Sequence, residues 1–265
     1  MRHTLRLWVT EYGQPTAALA ALIVVWEIAC DLLNIPVWLL PSPLQIVIQT
    51  WQIRSILPLH IFATFAEVVG GFALAIAAGV PLAIIIVYSP PLRRVIYPLL
   101  LMVQSVPKVA VAPLLLLWVG YGLTSNIIVA ATVAFFPIVI NTATGLESVD
   151  PELIELTRSL DARRLEVFWR VRLPWALPYL FSSLKVAITL AVIGAVVAEF
   201  IGADKGLGYL ILTSSGEMKT SLMFGVLLIL SLLGILCFYA VSWAERLLCP
   251  WYMPLPSDPS GAASG

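Results

Sequence analysis

The side chains that could do chemistry are concentrated between Asp150 and Pro174, in the interval DPELIELTRSLDARRLEVFWRVRLP. The whole chain carries fifteen basic and fifteen acidic residues, and ten of these thirty charges fall in this interval. Acids and bases are mixed along it, so the chemistry it offers is ion pairing with another charged surface. The interval is therefore the first candidate for a functional site.

In contrast to this charged interval, the sequence shows no recognisable catalytic or nucleotide-binding motif. The two histidines, His3 and His60, belong to no HExxH motif, and no G-x-x-x-x-G-K-[ST] loop is present to hold nucleotide phosphates. Cys30, Cys237 and Cys249 lie far apart in the sequence, which favours small buried hydrophobes over disulfides or metal ligands. An intramembrane enzyme, which needs a nucleophile, a base or metal ligands at matched spacing, is disfavoured.

The composition places the chain in a membrane. Hydrophobic residues make up 60 % of its 265 residues, charged residues 11 %, and the mean hydropathy is +0.98. The formal net charge is zero, so no basic footprint for nucleic acid is expected. The N-terminal sequence MRHTLRLWVTEYGQP has no short apolar segment followed by a cleavage site, and the first apolar run is expected to stay in the mature protein.

Apolar runs of about twenty residues are typical of membrane-spanning helices. The sequence predicts an all-α integral membrane protein with about six spans: Ala17 to Ile35, Ile61 to Tyr88, Val95 to Val119, Ser125 to Leu146, Pro178 to Ile201, and Leu222 to Ala244. The intervals 36–60 and 202–221 read as mixed and turn-rich. We expect a cytoplasmic segment at residues 1–15, a transmembrane domain at 16–250 with the charged interval 150–174 inside it, and a flexible tail at 251–265.

The orientation follows from the positive residues near the spans, which gather on the cytoplasmic side. One side would hold Arg2, Arg6, Arg93, Arg94, Arg158, Arg163, Arg164, Arg170, Arg172 and Arg246. The other would hold only Arg54, Lys205 and Lys219. Ten against three predicts that both termini and the charged interval face the cytoplasm.

Small residues recur at four-residue spacing as Gly71, Ala75 and Gly79, and a second stripe at the same spacing runs through Ala191, Ala195 and Glu199. Such stripes let helices approach closely. They pack either inside one chain or against a second copy, and the sequence leaves both readings open.

Four acidic residues fall in or near the spans, where a charge is costly. Asp31, Glu67 and Glu199 are expected to reach interfacial water. Glu27, deeper in the first span, is not explained in this way.

The charged interval itself predicts two short helices. Asp150 followed by Pro151 is a helix start, and an apolar face follows at Leu153, Leu156, Thr157 and Leu160. A second helical face is formed by Leu165, Phe168, Trp169 and Leu173, with Pro174 ending it. Helices of this kind lie on the membrane surface, link two spans or dock on a protein; the even mixture of acids and bases favours a protein partner.

The spacing from Glu155 to Pro174 resembles the EAA motif of ABC-importer permeases, which reads Glu-Ala-Ala, three residues, Gly, nine residues, Ile-x-Leu-Pro. The segments SVPKVAVAPLLLLWVGYG at 105–122, VAEFIGADKGLGYLI at 197–211 and ERLLCPW at 245–251 are similar to the nitrate, sulfonate and taurine branch of that family. The resemblance covers nearly the whole chain from about Trp38 onward.

The resemblance implies a cytoplasmic coupling element between spans 4 and 5, held in a cleft of a separate ATP-hydrolysing subunit, with Glu155 as an ion-pair partner. The residues it assigns to this coupling are Glu155, Ser159, Leu160, Asp161, Ala162, Arg163, Arg164, Val171, Leu173 and Pro174. It further implies two ATPase subunits that bind ATP and magnesium, a second permease copy, an extracytoplasmic solute-binding protein and a place in the bacterial cytoplasmic membrane. The chain itself is expected to hold no cofactor.

The sequence departs from the motif in the first helix and the turn. Leu156 and Thr157 stand where the motif has two alanines, and Asp161 replaces the glycine. Glycine supplies permissive backbone angles for a tight turn. We expect Asp161 instead to cap the second helix, accepting from the amide of Arg163 or Arg164.

The favoured function is thus the permease subunit of an ABC importer, with an ion-coupled secondary transporter using Glu27 and Glu67 as the alternative. Polar residues on the middle spans are candidates for the solute path: Ser105, Asn141, Thr144, Thr189 and Glu199. The solutes of this branch include nitrate, sulfonates, taurine, bicarbonate and vitamin precursors such as thiamine pyrimidines or riboflavin. No residue decides among them, because the choice rests largely with the binding protein.

Overall fold

The computed structural model describes residues 2–252, with side chains from residue 16 to residue 251. Every regular element in this range is helical, as predicted. The helices are α1 (Arg2–Leu32), α2 (Pro43–Gln52), α3 (Leu57–Tyr88), α4 (Pro90–Gln104), α5 (Lys108–Val119), α6 (Leu123–Glu147), α7 (Pro151–Ser159), α8 (Arg164–Val167), α9 (Leu173–Gly202), α10 (Leu207–Gly216) and α11 (Thr220–Leu248). A π-turn at Phe168–Arg172 joins α8 to α9, and a short 3-10 turn at Pro250–Tyr252 follows α11.

Four helices among the described residues are long and apolar enough to cross a membrane: α3, α6, the continuous helix Arg164–Gly202, and α11. A fifth span results if the bent pair of α4 and α5 counts as one. The predicted span from Ala17 to Ile35 lies largely in α1 and is not among them. The six-span count is therefore not confirmed.

The predicted single span from Val95 to Val119 is wrong in one respect, because α4 and α5 meet at an angle of 100°. Pro107 stands at the break with extended backbone angles, φ −61° and ψ 104°. A proline has no amide to donate and disfavours the helical conformation of the residue before it, so the chain turns here instead of kinking.

The described chain divides into two compact units, residues 2–63 with 204–231 and residues 64–203 with 232–252. In the first unit, the interval read as turn-rich contains α2. Ser42 Oγ accepts from the amide of Gln45, whose side chain accepts from the amide of Ser42, and Pro43 begins the helix. This capping box is visible in the sequence. Glu27 finds its partner at the same helix start, where Oε2 accepts from the amide of Leu44 at 2.9 Å.

The start of α10 in the first unit is held by a buried histidine. The amide of Gly206 donates to Nδ1 of His60 at 3.1 Å, and the His60 ring stacks on Tyr209 with centroids 6.0 Å apart. Gly206 has φ +120°, a conformation that favours glycine. The interval 202–221, also read as turn-rich, thus contains a helix. Asp31 is exposed, and its contact with interfacial water stays a prediction.

The second unit is built on α6 and α9, which share its most extensive contact. A Cβ atom added at Gly71 would lie 2.5 Å from Cβ of Ala130, and one added at Gly194 would lie 2.8 Å from Cα of Ala130. Ala75, Ala191 and the other small residues of both stripes are buried or packed in this core. The reading in which the stripes pack inside one chain is confirmed.

The second unit also contains a largely buried ion pair and two buried cysteines. Lys185 of α9 forms an ion pair with Glu245 of α11, and the two side chains are only 26 % and 17 % exposed. Cys237 and Cys249 are buried free thiols, as is Cys30 in the first unit, which confirms their reading as small hydrophobes.

Candidate functional site

The first helix of the charged interval forms as predicted. Asp150 is the N-cap of α7, its Oδ1 accepts from the amide of Glu152 at 2.9 Å, and Pro151 follows as the first helical residue. Arg158 lies in the last turn, opposite in charge to the first-turn acid Glu152. Both charges favour the helix through its dipole.

The turn after α7 is a Schellman motif centred on Asp161. The amide of Asp161 donates to the carbonyl of Arg158 at 3.0 Å, and the amide of Ala162 donates to the carbonyl of Thr157 at 3.1 Å. Asp161 itself is left-handed, with φ +53°. The aspartate therefore takes the backbone conformation for which a glycine would be the usual residue.

The prediction that Asp161 caps the second helix is wrong. Arg163 is the N-cap of α8, and its amide donates to Oε2 of Glu166 at 3.1 Å. Asp161 is already used to end α7, because a residue that closes one helix in the left-handed region cannot also take the extended geometry of an N-cap.

The prediction that Pro174 ends a separate second helix is also wrong. The chain passes from α8 through the π-turn at Phe168–Arg172 directly into α9, as one helix from Arg164 to Gly202. Pro174 lacks the amide that would bond to the carbonyl of Arg170, and Arg170 lies inside this π-turn. The wider turn accommodates the proline without a break.

The exposed side of this element carries an unbonded carboxylate among apolar side chains. Glu155 is exposed, and its carboxylate has no hydrogen-bond or ion-pair partner among the side chains from residue 16 to residue 251. Leu156, Leu160, Leu165 and Trp169 are 56 %, 73 %, 68 % and 60 % exposed. We call these five residues the coupling surface.

The other residues assigned to coupling lie close to this surface along the chain. Ser159 donates back to the carbonyl of Glu155 at 3.1 Å, Arg163 and Arg164 are exposed, and Ala162 is half-buried. Val171, Leu173 and Pro174 are half-buried in the continuous helix.

Beside α7 lies a basic cavity of about 410 Å³ lined by Arg158, Arg164 and Arg172 together with Tyr88 and Thr157. The guanidinium carbon of Arg172 lies 5.3 Å from the centre of the Tyr88 ring, a cation–π contact. None of the three arginines has an acidic partner among the described side chains. The element thus offers an acid on one helix and a basic cavity next to it, which suits a partner with charges of both signs.

The candidates for the solute path are not brought together with this site. Ser105, Asn141, Thr144 and Thr189 are exposed in the single chain. The hydroxyls of Ser105, Thr144 and Thr189 donate to carbonyls of their own helices, at 3.2, 2.9 and 2.7 Å. Their role in a path stays a prediction.

Glu199 differs from these candidates, because it is buried in a polar cluster that sequence reasoning missed. Oε1 of Glu199 accepts from the hydroxyl of Thr64 at 2.6 Å, and Oε1 of Glu67 accepts from Nδ2 of Asn126 at 2.7 Å. The exposed fractions of Glu67 and Glu199 are 3 % and 1 %. The expectation that both reach interfacial water is wrong, because bonds to other spans replace the water. The available signal was the set of polar residues Thr64 and Asn126 in apolar runs.

No group of three or more His, Cys, Asp and Glu side chains in the described part of the chain is arranged to hold a metal ion.

Three comparisons with known proteins bear on this site. A family model described as the binding-protein-dependent transport system inner membrane component matches residues 71–252. The chain is 38 % identical to the formylaminopyrimidine transport permease protein ThiX of Halalkalibacterium halodurans over 90 % of this chain and 95 % of that protein. It is 38 % identical to the riboflavin transport system permease protein RibX of Chloroflexus aurantiacus, over 88 % of each chain.

More distant relatives share the same range. The taurine transport system permease protein TauC of Escherichia coli is 28 % identical over 88 % of each chain. An inward-facing structure of the MetNI methionine ABC transporter is similar in fold, with a TM-score of 0.64 and 22 % identity over 74 % of this chain and 98 % of the matched chain. The fold is therefore that of an ABC-importer permease.

Proposed function

Because the chain belongs to the family of binding-protein-dependent transport system inner membrane components, whose relatives are permease subunits of ABC transporters, we propose that ATP-driven motion enters it through the coupling surface. The observation that carries this proposal is the exposed carboxylate of Glu155, which has no partner among the described side chains and lies in a stretch that also exposes Leu156 and Leu160. Exposed large apolar side chains such as Leu160 and Trp169 are typical of a surface that another protein covers, and not of a loop that stays in water.

The partner at this surface is an ATPase subunit that binds ATP and magnesium. The sequence of this chain contains no G-x-x-x-x-G-K-[ST] loop, so hydrolysis belongs to the partner. A positive group on the ATPase pairs with Glu155, and acidic groups meet the arginines of the neighbouring cavity. Two ATPase subunits, a second permease copy and an extracytoplasmic solute-binding protein complete the transporter.

In this proposal both termini and the coupling surface face the cytoplasm of a bacterial inner membrane. The support is the excess of positive residues on that side, ten against three. Reporter fusions at the two ends of the chain test the orientation, with cytoplasm-dependent signal expected from both.

The transported solute is a small, water-soluble vitamin or vitamin precursor with a heteroaromatic ring. This proposal is supported by the sequence identity of the chain to its relatives. It is 38 % identical to the relatives named for formylaminopyrimidine and riboflavin, and 28 % identical to the relative named for taurine. Uptake of a labelled aminopyrimidine, competed by unlabelled pyrimidines and not by taurine, is the expected result.

The docking step is tested by binding of the purified ATPase to the permease in nanodiscs. Glu155→Gln removes one interfacial ion pair and is expected to weaken binding by about tenfold. Glu152→Gln, on the same helix but in its first turn, is the matched control and should change binding little. Equal binding of wild type and Glu155→Gln would contradict docking through this residue.

A further inference from the structure

Two acidic residues meet inside the second unit of the fold, far from the coupling surface in sequence. Glu67 lies on α3 and Glu199 in the last turn of α9, and Asn126, which bonds to Glu67, lies in the first turn of α6. All three side chains are at most 3 % exposed. The pair therefore joins three spans through buried polar atoms.

One oxygen of this pair lacks a hydrogen-bond donor. Oε2 of Glu67 is buried and has no donor in the described part of the chain. Thr64, whose hydroxyl donates to Oε1 of Glu199 at 2.6 Å, lies three residues before Glu67 on the same face of α3, and this brings the two carboxyl groups together. Two ionised carboxylates only accept, so no hydrogen bond forms between them until one of them carries a proton. A single proton converts one acceptor into a donor and completes the bond.

Among the side chains from residue 16 to residue 251, no cation on the surrounding helices forms an ion pair with Glu67. The titratable and charged groups on these elements are His60 and Tyr88 on α3, Arg93, Arg94 and Tyr97 on α4, Lys108 on α5, Tyr121 before α6, Glu147 on α6, Tyr179 and Lys185 on α9, and Cys237, Tyr239, Glu245 and Arg246 on α11.

Two of these cations are bonded elsewhere. Lys108 donates to the carbonyl of Gln104 at 2.6 Å, and Lys185 is paired with Glu245. Two adjacent negative charges in an apolar interior would be strongly unfavourable without such a partner.

We propose that Glu67 and Glu199 form a binding site for one proton, shared between their carboxyl groups, and that the bound proton fastens α3 to α9. The proton comes from water and returns to it, and no other bond is made or broken. The site lies at the end where α6 begins and α9 finishes, which is the outer side in the orientation proposed above. Proton release leaves two negative charges facing each other and weakens the contact between the two helices.

Infrared spectroscopy on the protein in lipid nanodiscs tests the proposal. A protonated carboxyl group absorbs in its own carbonyl band, and the wild type should show this band at neutral pH and lose it at alkaline pH. Glu67→Gln should lack the band, because its amide group donates to Glu199 and accepts from Asn126 as the protonated acid would. Glu27→Gln is the control and should keep the band, since Glu27 accepts from the amide of Leu44.

Thermal unfolding supplies a second readout. The folded wild type holds a proton that the unfolded chain releases at neutral pH, so its Tm should fall as the pH rises. Glu67→Gln carries no such proton and should reduce this fall by about half or more. A wild-type spectrum without the band at neutral pH, or a Glu67→Gln protein that retains both the band and the full pH dependence, would overturn the proposal.

Discussion

The amide of Asp161 donates to the carbonyl of Arg158 at 3.0 Å, while Asp161 itself sits in the left-handed region at φ +53°. A non-glycine residue there is strained, and glycine is not. Asp161→Gly should therefore preserve or raise ATPase-coupled transport and stabilise the protein by about 1 kcal/mol. Asp161→Val, which is β-branched, should destabilise it by about 1–2 kcal/mol. Denaturant unfolding measures the stability of both variants. A lower stability of Asp161→Gly than of the wild type would contradict the left-handed conformation of Asp161.

The ion pair between Lys185 and Glu245 joins α9 to α11 with little exposure to solvent. Lys185→Met leaves the carboxylate of Glu245 without its partner in an apolar environment, and we expect a destabilisation of about 2 kcal/mol or more. The double variant Lys185→Met/Glu245→Leu should recover most of this loss, since no unpaired charge is left. Equal unfolding temperatures of the single and double variants would show that the unpaired carboxylate of Glu245 carries no such cost.

Close packing of α3 on α6 depends on the missing side chain of Gly71. A methyl group there would stand 2.5 Å from Cβ of Ala130, so Gly71→Ala should destabilise the protein by about 1–3 kcal/mol. Gly234→Ala is the matched control on α11, because a Cβ there meets nothing within 4 Å, and it should be neutral or slightly stabilising. The unfolding temperatures of both variants are measured in the same lipid. Equal unfolding temperatures would show that the close approach of α3 to α6 at Gly71 does not contribute to stability.

Cys249 follows the last turn of α11 and is 2 % exposed. Burial, and after it the negative charge of Glu245, raise the pKa of this thiol above its ordinary value. The reactive thiolate is thereby depleted at neutral pH, so a variant that retains only Cys249 should react slowly with maleimide in the folded state and faster as the pH rises. Denatured protein provides the control. Folded and denatured rates that agree at neutral pH would contradict the buried, protonated thiol.

Local signals in the sequence were enough for the beginning of the coupling element. Asp150 and Pro151 predict a helix start because their roles depend on neighbouring backbone amides alone. The spacing from Glu155 to Pro174 identified the family, which the comparisons confirm.

What the sequence could not provide depends on partners from elsewhere in the chain. Asp161 has two plausible local roles, and only the observed turn decides between a helix end and a helix start. Pro174 reads as a helix end until the π-turn before it is known. Glu67 and Glu199 are separated by more than a hundred residues, so no local pattern reveals that each is bonded within the bundle rather than to interfacial water.

Solute uptake into proteoliposomes that contain the permease, its ATPase subunit and its solute-binding protein tests whether ATP drives transport through this chain. Uptake should require ATP on the side of the ATPase, should fall sharply with Glu155→Gln, and should be unaffected by Glu152→Gln. Uptake driven by a proton gradient in the absence of ATP would contradict the account and favour the ion-coupled alternative.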